Sequence, residues 1–109
     1  MQVLDVLDER IIDLHAHAEN KEEVLTLLAN RLKEAGYIDD VEGFKKDIYL
    51  RESEGTTGIG NYIAIPHGKS DSVTQVGIAI AKLDHEIEWE TLDGKGVKLV
   101  FLFAVSNKS

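Results

Sequence analysis

The sequence has no cysteine, and its 109 residues include a single proline, Pro66. Without thiols there is no disulfide framework, no thiolate zinc site and no cysteine nucleophile. Basic side chains are scarce: twelve Lys and Arg stand against twenty Asp and Glu, a formal charge of -8. No Lys/Arg cluster stands out against that acidic background. This argues against nucleic acid or an anionic membrane as the partner and favours one with a basic docking face. Long apolar runs are also missing, since the longest, Leu99 to Val105, is far too short to span a bilayer. The opening MQVLDVLDER is acidic and lacks the basic n-region of a signal peptide. The expectation is a cytoplasmic protein with no direct membrane insertion.

What remains is an ordinary globular composition, 43% hydrophobic and 29% charged, long enough for one domain with a modest core. Ile11 to Ala16 alternates loosely and reads as a short strand. Asn20 is a good N-cap, with Glu23 where a capping box places its acid. Val24, Leu27, Leu28, Leu32 and Ala35 follow at helical steps, and Gly36 ends that helix as a C′ glycine. A second helix reads from Asp39 as cap, with Glu42 three residues on and Arg51 and Glu52 at its end. Gly55 to Gly60 reads as a loop. Tyr62 to Ile65 reads as a strand stopped by Pro66, and Val76 to Lys82 as another. Asp93 to Gly96 is a turn signal. Val97 to Val105 is almost wholly apolar, as a strand buried on both faces would be. The order predicts a mixed α/β domain, without repeats or linkers.

Three stretches carry candidate chemistry. In Asp13-Leu-His15-Ala-His17, strand alternation would point both imidazoles to one side, as a metal site needs. The spacing resembles the opening metal motif of amidohydrolases. Those are barrels of roughly 200 residues or more, and this chain cannot supply one. Two half-exposed histidines on an edge strand are therefore the stronger reading. Gly58-Ile-Gly60 lacks the third glycine of a dinucleotide fingerprint, because Ile63 stands there, and it leads into a strand instead of a helix. Its free backbone N–H groups offer at most an anion nest, and an ordinary connecting loop is the stronger reading from composition.

The third stretch is His67, set between Pro66 and Gly68 at the end of an apolar run. Proline fixes φ and stops the strand, and glycine removes bulk from the other flank. Imidazole is a nucleophile near neutral pH and carries a phosphoryl group reversibly. Such a transfer needs cationic and hydrogen-bonding groups around the phosphoryl oxygens. Arg51, Thr56, Thr57 and the backbone N–H groups of the Gly58–Gly60 loop would supply them if the helix end and loop folded over the strand end. A satisfied, partly buried core histidine is the competing reading from local chemistry alone. His85, between Asp84 and Glu86, reads as a solvated loop or turn histidine, and Trp89 as an anchor of that loop.

The order of NKEEVLTLLANRLKEAGYI, the Arg51-Glu52 pair, TTGIGNYIAIPHGKS and IEWETLDGKGVKLVFLFAV resembles the IIA domain of the fructose/mannitol class of the bacterial phosphoenolpyruvate-dependent sugar phosphotransferase system. The resemblance implies one α/β domain over residues 1–109, a mixed sheet flanked by helices on both faces. It also implies a further C-terminal helical part, bearing a second active-site histidine, that no residue here matches. It implies that His67 accepts a phosphoryl group from the carrier HPr, through Nε2, with Arg51 stabilising it. A cysteine of a IIB domain would then receive the group for sugar entering through a membrane IIC partner. Neither a cofactor nor a metal belongs to that exchange. An alternative within the same resemblance is a regulatory module, nitrogen-type or linked to a transcription factor, whose phosphorylation controls protein binding.

Overall fold

In the computed structural model, which describes residues 7–107, a 3-10 turn at Glu9–Ile11 leads into β1 (Ile12–Ala16). Helix α1 (Lys21–Glu34) starts at Asn20, whose side chain accepts the Glu23 amide. Glu23 reaches back one residue further than a capping box expects, and its carboxylate accepts the Glu19 N–H at 3.0 Å. Gly36, at φ +84°, takes the left-handed turn that ends the helix. Helix α2 (Val41–Glu52) is capped by Asp40, which accepts the Gly43 amide, and not by Asp39. The Asp39 N–H is bound to the Ser72 carbonyl at 2.9 Å, which holds that residue outside the helix.

The second half of the chain is strand after strand. These are β2 (Gly58–Gly60), β3 (Ile63–Ala64), β4 (His67–Ser70), β5 (Gly77–Ile87) and β6 (Val97–Ser106). Two expectations change here. Gly58–Gly60 is a short strand paired antiparallel to β3, where a loop was expected. Asn61 and Tyr62, at φ 55° and 66°, make the turn between them, so β3 begins at Ile63 instead of Tyr62. The second change is the length of β5, which continues past Lys82 to Ile87. His85 is therefore a strand residue and not a loop residue. The charged run Asp84-His85-Glu86 hides this, yet Ile87 returns to the core and pairs with Val97 of β6.

The strands form one mixed sheet of order β1-β5-β6-β3-β2, with β4 also pairing β6. Strand β5 runs antiparallel to β6 and parallel to β1, and β3 and β4 follow one another parallel to the same edge of β6. Alternation sorts the two faces. Ala79, Ala81 and Leu83 of β5 and Val100, Leu102 and Ala104 of β6 are buried on one face. Over it lie α1, contributing Leu25, Leu28 and Leu32, and α2, contributing Phe44 and Ile48, all fully buried. Each such apolar side chain contributes about 1.5–3 kcal/mol by leaving water. Ile78, Ile80, Phe101 and Phe103 point the other way and are half-buried. The expected α/β domain with a mixed sheet is thus present. Among the described residues both α-helices cover one face, and β6 is fully buried on that side only. No described helix is long and apolar enough to cross a membrane.

Candidate functional site

His67 opens β4 directly after Pro66; β3 ends at Ala64, one residue sooner than the sequence suggested, so Ile65 and Pro66 lie between the two strands. Pro66 and His67 are both fastened to β6: the Phe103 N–H donates to the Pro66 carbonyl at 3.0 Å, and His67 lies in register with Phe103. The two rings stack, 4.8 Å between centroids and 7° from parallel. The imidazole Nδ1 lies 2.7 Å from the Ile65 carbonyl oxygen. A carbonyl can only accept, so Nδ1 carries the proton and Nε2 keeps its lone pair. A half-buried ring is thereby held in one orientation and one tautomer, with its nucleophilic nitrogen on the side away from the backbone.

Gly68 has a role that the sequence reading did not give it. It lies inside β4 and not in a turn, and a Cβ there would stand 2.3 Å from Cε1 of Phe44. The missing side chain lets α2 press against the strand through Phe44. Arg51 follows Phe44 by seven residues, two helical turns along the same face. Asp47, Leu50 and Arg51 sit at i, i+3 and i+4 on the end of α2. With Glu54 and Lys69 they line a hollow of about 390 Å³ that His67 also lines. The Arg51 Nη1 donates to the Gly55 carbonyl at 3.1 Å, which holds one end of the guanidinium. No ion pair holds its guanidinium among the described residues, so N–H groups are left to bind an anion. The structure therefore brings Arg51 and His67 together.

It does not bring the hydroxyls of the following loop to them. Thr56 donates to the Glu90 carbonyl and lines a different hollow, beside Lys21 and Trp89. Thr57 is buried, and its hydroxyl donates to Glu52 at 2.6 Å. Gly58 and Gly60 are taken up in β2, where a Cβ on Gly58 would stand 2.5 Å from the Glu90 carbonyl. The loop is tied to the segment before the histidine through its backbone, by the 2.9 Å bond from the Ile65 N–H to the Thr57 carbonyl. Glu52 is the residue that sequence reasoning missed. Its carboxylate, 6% exposed, bonds Thr57 and pairs with Lys21 at 2.5 Å, tying α1, α2 and the loop together next to Arg51. Its place beside Arg51 was visible, but a bond to Thr57 has no signature in the sequence. Trp89 is buried beneath Lys21, whose Nζ sits 4.6 Å from the ring centroid, in keeping with an anchor.

His15 and His17 do not share a site. Asp13 is bound to Arg31 at 3.1 Å and to the His15 backbone N–H, and the His15 side chain is exposed. His17 meets Asp84 and His85 of β5 instead. Its Nδ1 lies 2.8 Å from Asp84 and its Nε2 2.9 Å from Glu19. Those two carboxylates, Asp84 first, hold His17 above the ordinary imidazole value.

With this geometry in view, the sequence was compared with known proteins. Residues 5–109 match the family described as phosphoenolpyruvate-dependent sugar phosphotransferase system, EIIA 2. The chain is 36% identical over 106 residues to the fructose-specific EIIABC component of Bacillus subtilis, covering 97% of this chain and 17% of that protein. It is 35% identical over 107 residues to the mannitol-specific phosphotransferase enzyme IIA component of Geobacillus stearothermophilus, covering 95% of this chain and 71% of that one. The crystal structure of the nitrogen regulatory protein IIA-Ntr from Neisseria meningitidis superposes with a TM-score of 0.85 at 25% identity, over 96% of this chain and 71% of that one. A match over nearly the whole sequence, on a sheet that presents its IPHG histidine beside an arginine, has one conclusion: the chain belongs to the EIIA type 2 family of the phosphoenolpyruvate-dependent sugar phosphotransferase system.

Proposed function

We propose that this domain is a phosphocarrier in which His67 takes a phosphoryl group from phospho-HPr and gives it to a cysteine of a IIB domain during fructose-type sugar uptake. One observation carries the reading. The Nδ1 of His67 is tied to the Ile65 carbonyl, leaving Nε2 as the available nitrogen of a ring that lines the same hollow as Arg51. In the first step the donor N–P bond breaks as a bond from His67 Nε2 to phosphorus forms. In the second that bond breaks as a sulfur–phosphorus bond forms on IIB. Arg51 stabilises the charge on the equatorial oxygens in both. Leu50, 63% exposed on the rim, offers apolar contact to a docking partner. The membrane IIC component fits the name of the fructose-specific EIIABC relative. The working place of such a carrier is the cytoplasm.

The test is incubation with phosphoenolpyruvate, enzyme I and HPr, read by intact mass under mildly alkaline conditions that preserve phosphohistidine. One phosphoryl group is expected on the parent and none on His67→Ala. Arg51→Ala is expected to slow transfer by about a hundredfold, as loss of a transition-state donor does. A folded parent that takes up no phosphoryl group, or a His67→Ala that takes up as much, would overturn the reading. The likeness to a nitrogen regulatory protein supports a second reading, in which the same phosphohistidine controls binding to another protein. Transfer onward to a fructose-type IIB cysteine separates the two, because only the carrier reading requires it.

A further inference from the structure

We propose that His17, Asp84 and His85 form a binding site for one late first-row divalent cation, of the zinc class, that staples the edge strand β1 to β5. The site is independent of the phosphocarrier reading. One ring nitrogen from each histidine and one oxygen of Asp84 lie within 4.8 Å of one another. Ligands around a tetrahedral zinc ion stand roughly 3.3 Å apart, and small rotations of these exposed side chains close the difference. Imidazole and carboxylate without thiolate is a donor set for zinc, nickel or copper, and a poor one for calcium or magnesium, which take oxygen ligands.

Two features distinguish this group from a chance meeting of polar side chains. Asp84 already stands between the rings, with Oδ2 2.8 Å from Nδ1 of His17 and Oδ1 2.6 Å from Nδ1 of His85. The far nitrogen of His17, Nε2, donates to Glu19 at 2.9 Å. A carboxylate on the second ring nitrogen is the partner that a metal-bound histidine usually has, since it fixes the ring and the tautomer. An ion on the Nδ1 side would replace the proton that His17 shares with Asp84 and leave the Glu19 bond intact.

The place also has a structural use. Strand β1 is an edge strand, and its ladder with β5 shifts register between Asp13 and Ala16, directly before His17. The last pair is Ala16 with Leu83, so His17, just past the end of β1, and Asp84, on β5, are the residues that follow. A cation there would hold the strands together where the backbone bonds give out.

The experiment is calorimetric titration of the folded chain with zinc chloride. It is paired with thermal unfolding and with nitrogen-15 spectra of the histidine rings. One zinc per chain is expected, with a higher melting temperature and shifts confined to the His17 and His85 rings. Affinity should fall about tenfold or more in His17→Ala and in His85→Ala, and measurably in Glu19→Gln. His15→Ala and His67→Ala should bind as the parent does. These positions are at least partly exposed, so circular dichroism suffices to confirm that each variant is folded. No binding by the parent, or full binding by the doubly substituted His17→Ala/His85→Ala chain, would overturn the proposal.

Discussion

At the scale of the residue, two positions make predictions, one by packing at the site and one by hydrogen bonding away from it. Gly68 faces the buried ring of Phe44, with 2.3 Å and 2.5 Å between a would-be Cβ and two ring carbons. Gly68→Ala should therefore cost about 1–3 kcal/mol through overpacking, read as a lower urea midpoint at unchanged slope. It should also slow phosphorylation of His67, because the ring's seat moves with the strand. An alanine variant as stable and as fast as the parent would show that Phe44 moves freely and that α2 is not fixed there. The second residue is Asp93. It accepts the N–H groups of Asn61 at 3.0 Å and Lys95 at 3.1 Å, and these bonds depress its carboxyl below the usual range. A depressed carboxyl stabilises the fold above the unfolded-state value near 4 and loses that contribution as pH falls through its lower folded value. Parent and Asp93→Asn should then differ in melting temperature at pH 7 and converge as the pH is lowered below about 4. A gap that persists in acid would mean that Asp93 acts by geometry alone.

At the scale of the element, the cap of α2 separates what local sequence says from what the fold chooses. Asp39 with Glu42 satisfies the capping pattern, but the Asp39 N–H serves Ser72 and Asp40 takes the cap. Asp40→Ala should lower stability by about 1 kcal/mol and Asp39→Ala by much less, measured by urea unfolding; the reverse order would restore the cap to Asp39. The bounds of helix α1 were legible, since Asn20 and Gly36 are local signals that agree, but its buried face takes in Leu25 and Ala29 where Leu27 and Ala35 were read, and those two are only half-buried. Strand ends were less legible. β5 runs through Asp84, His85 and Glu86, a run that alone looks like a loop, because the buried residues on either side of it, Leu83 and Ile87, pair with Ala16 and Val97. Thr56 and Thr57 were chosen for their hydroxyls and their nearness in sequence to His67. The structure spends those hydroxyls on Glu90 and Glu52, since a polar group leaving water must be matched wherever the chain brings it.

For the whole molecule, β6 is the member on which the rest depends, since β5, β3 and β4 all pair with it. Leu102 lies on its covered face and is fully buried, so Leu102→Ala should cost about 2–5 kcal/mol in one cooperative transition. Lys98→Ala, exposed on the same strand, should change stability by no more than about 0.5 kcal/mol. Equal effects would contradict the sorting of the two faces. The sequence by itself determined the class of the fold, the extent of α1, the place of the last strand and His67 as the residue to test. Periodicity, caps, glycines and a short motif are properties of neighbouring residues, and neighbours are what a sequence displays. Only the tertiary structure decided that Arg51 shares a hollow with His67 while Thr56 and Thr57 do not. It alone placed Gly68 beneath Phe44 and drew His17 away from His15 to Asp84 and His85. Those contacts join residues far apart in the chain, and which of them form depends on how helices and strands settle together when their apolar faces leave water.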